Sequence, residues 1–185
     1  MKSKKILALA LCAITVAVIA VSSNVGAYMR KETEEVQNVF VPADVDCEVI
    51  EQHNSPLTQK TMVRAKNTSN VPAYIRLRIV SYWVDDNGDI VYKSSPEVSF
   101  TYNNTDWLRD EKNDTYYYKY PVAADTEIPA AHNLLKSAIT LKTEDGYRQV
   151  VEIFAEAIQA DPTDAVVHAW DVTISGNNIS GFKTT

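Results

Sequence analysis

The sequence predicts an all-β chain: an antiparallel β-sandwich of the jelly-roll or immunoglobulin-like kind, with one or two short helices. Three observations point to it. Apolar and polar residues alternate with a period of two over the longest patterned stretches, residues 73–84 and 147–160. Turn signals recur at short spacing: HNSP at 53–56, NTSN at 67–70, DDNGD at 85–89, RDEKND at 109–114 and EDG at 144–146. The 185 residues are 45% hydrophobic and 23% charged with only 5 Gly, which suits one globular domain and excludes a disordered or collagen-like chain.

The chain opens on a targeting pattern. Lys2, Lys4 and Lys5 precede an unbroken apolar or small run, ILALALCAITVAVIAV, over residues 6–21. Val25-Gly26-Ala27 is then a small-residue cleavage site before Tyr28, so residues 1–27 read as a secretory signal peptide. The other reading is an uncleaved anchor, since the run lies near the lower edge of what spans a bilayer. Cys12 does not suit lipid attachment, because Leu11 stands where a small residue is needed. Losing this segment removes three lysines and no acid, taking the formal charge from -6 to -9. Either charge argues against nucleic-acid binding, which needs basic residues facing phosphates. Cys47 is the one cysteine left after cleavage, so no internal disulfide is available. It reads as a small buried apolar residue in a strand, or as a bridge between subunits.

The elements follow in order. Residues 28–35 are polar and charged, and VQNVFV at 36–41 is a short strand; together they form an N-terminal arm ahead of a sandwich domain over 42–175. At 45–51, Val45, Cys47 and Val49 face one way and Asp46, Glu48 and Ile50 the other. A strand at 60–66 leads through the 67–70 turn to the long strand 73–84. There Ile75, Leu77, Ile79, Ser81 and Trp83 form the core face, and the alternate face carries Arg76 and Arg78. Asn87-Gly88 between two apolar runs is a hairpin signal, because both residues tolerate positive φ. Further strands are expected at 90–93, 97–102 and 115–120, the last stopped by Pro121. Residues 103–106 are a loop leading to Trp107, 109–114 a charged turn, and 123–132 loop-like around Pro129. Residues 134–142 suit a strand or a short helix. Residues 147–160 alternate and read as a strand, despite the helix propensity of their Ala and Glu. A short helix follows Pro162 over 164–171, with Asp164 able to cap it. The Gly/Asn/Ser-rich end, 176–185, reads as a frayed tail.

Enzymatic chemistry finds little footing. His53, His132 and His168 are widely separated and no H-E-x-x-H occurs, so zinc has no ligand set and no cofactor is implied. Asp85, Asn87 and Asp89 begin like a calcium loop, but Gly88 falls too early and Pro96 replaces the closing Glu. Glu152 and Glu156 share a strand face about 13 Å apart at ~3.3 Å per residue, too far to share a proton. The tyrosines Tyr116, Tyr117, Tyr118 and Tyr120 either stack on sugar rings or fill a strand pair or interface.

Several segments, in order, resemble the TasA/camelysin family of exported matrix proteins of Gram-positive bacteria, released by the SipW-type signal peptidase. They are the leader with Tyr28, EVQNVFV at 35–41 with Pro42-Ala43 where the family has Gly, VRAKNTSNVPAYIR at 63–76, YYY at 116–118, and EAIQA at 156–160 followed by Ala169-Trp170. The resemblance implies a jelly-roll sandwich that polymerises with itself, and with other matrix proteins, into extracellular biofilm fibres. The metalloprotease activity described for camelysin has no metal motif here to receive it. The physics of a fibre subunit is legible in the arm: a freshly cut terminus ending in the apolar residues Val36, Val39, Phe40 and Val41 is suited to adding a strand to a neighbour. The alternatives are a monomeric surface module binding carbohydrate or protein, and a camelysin-type surface protease. The membrane is met only through the leader.

Overall fold

The computed structural model describes residues 44–183, and strands dominate them. Twelve strands occur among the described residues: β1 (Cys47–His53), β2 (Gln59–Asn67), β3 (Ala73–Val84), β4 (Ile90–Val91), β5 (Trp107–Asp110), β6 (Thr115–Tyr118), β7 (Thr126–Glu127), β8 (Ile139–Thr140), β9 (Thr143–Glu144), β10 (Tyr147–Gln159), β11 (Val172–Ser175) and β12 (Asn178–Phe182). One α-helix, α1 (Thr163–Trp170), stands between β10 and β11.

Two antiparallel sheets form the sandwich. In the first, β1 pairs with one edge of β2, while β7 and β8 pair with opposite ends of its other edge. In the second, the order is β5-β6-β3-β10-β9, with β4 added to the far end of β3. The frame is the β3–β10 pair, in register without a break from Val84↔Arg148 to Ala73↔Gln159. Alternation is the reason these residues form strands. Ile75 and Leu77 of β3, Val151 of β10 and Val63 and Ala65 of β2 are buried in one core between the sheets, with Trp107, Tyr116 and Tyr118. Each fully buried large apolar side chain contributes about 1.5–3 kcal/mol.

The second sheet is covered on its outer face as well. Helix α1 and the β11–β12 hairpin lie there over Tyr74 and Tyr117, forming a second cluster with Val166, Trp170, Val172 and Ile179. Hence all four residues of β6 are buried: Tyr116 and Tyr118 face the main core, and Tyr117 faces the second. A strand covered on both faces reads as a continuous apolar run.

Turn chemistry sets the register. Asp145 and Gly146, both at positive φ, close the β9–β10 hairpin as a two-residue turn of the kind that matches strand twist. Gly88, at φ +90, donates its N–H to the Asp85 carbonyl and closes the β3–β4 turn.

Four sequence expectations are corrected. Residues 97–102 are extended but join no ladder beyond one bridge, Tyr102↔Leu135; the Thr101 carbonyl instead accepts the N–H groups of Lys136 and Ser137. Residues 107–110 form β5 on the edge of β6, although the sequence places a loop up to Trp107 and a charged turn from Arg109. Helix α1 begins behind Pro162, and no side chain caps it, so Asp164 lies within the first turn instead of at the cap. The frayed tail is replaced by a paired strand: β12 bonds β11, and the Ile179 N–H donates to the Lys119 carbonyl at 2.8 Å. The domain therefore runs past 175 to at least Phe182. Residues 134–142, open between strand and helix, contain β8.

Candidate functional site

One edge of β3 is incomplete. Its β10 edge is paired along the whole strand, whereas β6 covers only Arg76, Leu77 and Arg78 on the other edge, and β4 covers only Trp83 and Val84. On this edge Ile79, Val80, Ser81 and Tyr82 therefore have no strand beside them. The backbone groups of successive residues point to opposite edges. Ala73 and Asp85 bond outward, to Val122 and Asp89, so the odd-numbered residues face this edge. The N–H and C=O of Ile79 and Ser81 accordingly point into the gap, and neither residue has a backbone partner there among the described residues.

Local chemistry holds the gap open at both ends. Beyond Thr115, which pairs with Arg78, β6 is led away by the turn at Asp114, whose φ is +47; Arg109 fixes it with a 2.6 Å bond to the Asp114 carboxylate. Beyond Val91, the Lys93 N–H turns back onto the Val91 carbonyl at 2.8 Å. The Trp83 indole N–H then ties Ser94 down with a 3.1 Å bond to its carbonyl. The result is a slot of about 600 Å³ between the β3 edge (Arg78–Ser81), the extended segment containing Pro96 and Val98, and the β5–β6 turn. A four-residue opening is about 13 Å long at ~3.3 Å per residue, the length of a short strand.

The residues singled out for other chemistry are engaged structurally. His53, His132 and His168 make separate contacts with the Asn54 carbonyl, the Tyr118 hydroxyl and the Asp164 carbonyl. No group of three or more His, Cys, Asp or Glu side chains among the described residues is placed to hold a metal ion. The Asp85 carboxylate accepts the Asp89 and Asn87 N–H groups, and these bonds, that from Asp89 foremost, hold it below the usual carboxylate range. Glu152 accepts the Tyr82 hydroxyl, and Glu156 accepts two bonds from Arg76 and one from the Trp170 indole. Burial works against the Arg76 charge, but the bonds to Glu156 and Tyr117 outweigh it.

Tyr116, Tyr117 and Tyr118 are each under 5% exposed, so they offer no ring face to a sugar. Burial pushes the Tyr118 hydroxyl up to about 12, with the Asp106 charge adding to it. Cys47 is half-buried against the main core, and burial pushes its thiol up to about 11, which suits a packed apolar residue better than a reactive one.

The cleavage residues Val25, Ala27 and Tyr28 and the assembly residues Val36, Val39, Phe40 and Val41 lie outside the described residues. The open edge itself was missed by sequence reasoning. Its one sequence signal was the length mismatch between the twelve-residue β3 and the short segments 90–93 and 115–120 that flank it.

No protein-family model, curated protein or solved structure matches the chain. The resemblance to TasA/camelysin proteins rests on the sequence segments alone.

Proposed function

We propose that this chain is a secreted structural subunit of extracellular matrix fibres, assembling by strand addition between copies. The observation that carries the reading is the unpaired stretch of β3 inside the slot. An exposed edge with free N–H and C=O groups invites another strand, and natural domains normally cover or charge such edges. A strand laid there gains main-chain hydrogen bonds, and alternate side chains reach the cavity for specificity. The donor is the arm, residues 28–41, released when signal peptidase cuts before Tyr28. No catalytic group and no cofactor enters this reading.

Removing residues 28–41 from the secreted protein tests it. The expected product is a folded sandwich, with the parent's circular dichroism and melting curve, that forms no fibres by electron microscopy. Phe40→Ala, which removes the largest anchor, weakens assembly more than a charge change at Glu34. Fibres formed by the truncated protein would place assembly on another surface. A truncated protein that fails to fold would make the arm an internal strand of its own domain.

A further inference from the structure

The second sheet has another open edge, on the far side of β10. Even-numbered residues of β3 point their backbone groups at β10, and the register sets them against even-numbered residues such as Phe154 and Glu156. The odd-numbered residues of β10 therefore face away from β3. The Gln149 N–H shows this directly, donating outward to the Lys142 carbonyl at 2.8 Å. Strand β9 covers only Tyr147 and Arg148, so no strand is bonded to this edge from Val151 to Gln159. The N–H and C=O groups of Val151, Ile153, Ala155, Ala157 and Gln159 have no backbone partner there among the described residues. Strand β1 approaches from the other sheet and packs Cys47 and Val49 on the same core, but it forms no ladder with β10.

The usual protections of an edge are missing here. Residues 150–159 read VVEIFAEAIQ, without Lys, Pro or Gly, and their register with β3 has no bulge. The open stretch is about 30 Å long at ~3.3 Å per residue. Ile153, Ala155 and Ala157 pack on the main core yet stay partly exposed, and Phe154 on the outer face is 54% exposed. We infer that this edge is a two-fold interface, on which β10 of a second copy pairs antiparallel about Ala155. An antiparallel edge is its own complement, so one surface supplies both sides of the contact. Centred on Ala155, the odd-numbered residues bond one another both ways: Val151 with the partner's Gln159, Ile153 with the partner's Ala157, and Ala155 with the partner's Ala155. Strand and opening match in length, since β10 ends at Gln159 and the Lys142 carbonyl closes the opening at Gln149. On the outer face Glu152 lies opposite the partner's Ile158, and Phe154 opposite the partner's Glu156. Moving the centre to Phe154 sets Glu152 against the partner's Glu156 and leaves Gln159 unpaired. Moving it to Glu156 opposes the two copies of that glutamate and leaves Val151 unpaired. Like charges directly opposite are destabilising, so the register about Ala155 is preferred. The contact closes on two copies and uses β10, so it stands apart from the strand-addition reading; together the two contacts would tie fibres side by side.

Ala155→Pro tests the interface in the full secreted chain. The Ala155 N–H faces the open edge, so its loss leaves the β3–β10 ladder whole, and proline is tolerated on edge strands. In analytical ultracentrifugation below the concentration at which fibres form, the parent is expected to sediment as a dimer. Ala155→Pro is expected at half that mass, with the parent's circular dichroism. A dimer that persists in the folded proline variant overturns the interface, and so does a parent that stays monomeric up to the onset of fibres.

Disulfide trapping reads the same contact should the proline variant fail to fold. In a Cys47→Ala background, Phe154→Cys with Glu156→Cys is expected to give a covalent dimer on oxidation, and Glu152→Cys with Glu156→Cys is expected to give none. A covalent dimer from the second pair alone overturns the register about Ala155, and none from either pair overturns the interface. Fibres are scored separately by electron microscopy. Dimers without fibres count against strand addition alone, and fibres without dimers count against the β10 contact alone.

Discussion

Asn67 shows how much one side chain can organise. It is fully buried at the end of β2, and its amide donates to the carbonyls of Val71, Val122 and Ala123 while its oxygen accepts the Ser69 N–H. Asn67→Ala leaves those buried groups unpaired and should cost about 2–3 kcal/mol, measured by urea unfolding; a loss below half of that would mean water replaces the amide freely. Trp83 makes a different case. The alternation of 73–84 put it on the core face, and it is 3% exposed. Part of its cover comes from its own hairpin, through the Ser94 carbonyl on the indole N–H and the Lys93 ammonium 5.3 Å from the ring centroid. Trp83→Ala should cost about 3–5 kcal/mol, a large share of the ~5–15 kcal/mol that holds a domain folded. A variant melting within a degree or two of the parent would contradict that burial. Parity could assign Trp83 a face, but it could not say which segment would cover it.

Elements were legible in proportion to their length and the regularity of their pattern. Strands β3 and β10 were read to within a residue because twelve or thirteen alternating positions leave little freedom of register. Strands β5, β7, β8 and β9 are two to four residues long and owe their pairing to neighbours, so no local period announces them. Residues 97–102 failed in the opposite way: Val98, Phe100 and Tyr102 do pack on the core, yet the Thr101 backbone bonds to the 136–137 loop instead of a strand. The open edge of β3 was invisible for the same reason, since a gap is a property of two departing chains. The C-terminal hairpin was hidden by its Gly, Asn and Ser content, and its role is to cover Tyr74 and Tyr117. Ending the chain at Asp171 should therefore lower the melting temperature sharply and expose apolar surface to a dye. In the intact protein, the Ile179 amide should exchange slowly with solvent, as a bonded strand residue does. Rapid exchange there would mean that the hairpin frays after all.

At the scale of the molecule, the proposed assembly would be governed by charge. Cleavage before Tyr28 would leave a formal charge of -9, and like-charged copies would repel at low salt. Assembly followed by light scattering at fixed concentration should accelerate as salt rises, and again as pH falls from neutral toward about 5, where ordinary carboxylates begin to gain protons. Asp85 runs on a different schedule. Its lowered value means that the support it gives the β3–β4 hairpin is present above the ordinary carboxylate range and is lost only as pH falls through that lowered value. The hairpin should thus outlast the repulsion, and assembly that slows steadily on acidification would contradict this order of events. The unbroken β3–β10 ladder has a mechanical consequence. In the proposed fibre, a partner strand hydrogen-bonded beside Ile79 and Ser81 would pull on β3 along its own axis, and β3 could slide only if all twelve register pairs with β10 sheared together. Tension along a filament would meet the stiffest part of the subunit first, so the domains should stretch elastically long before any of them unravels.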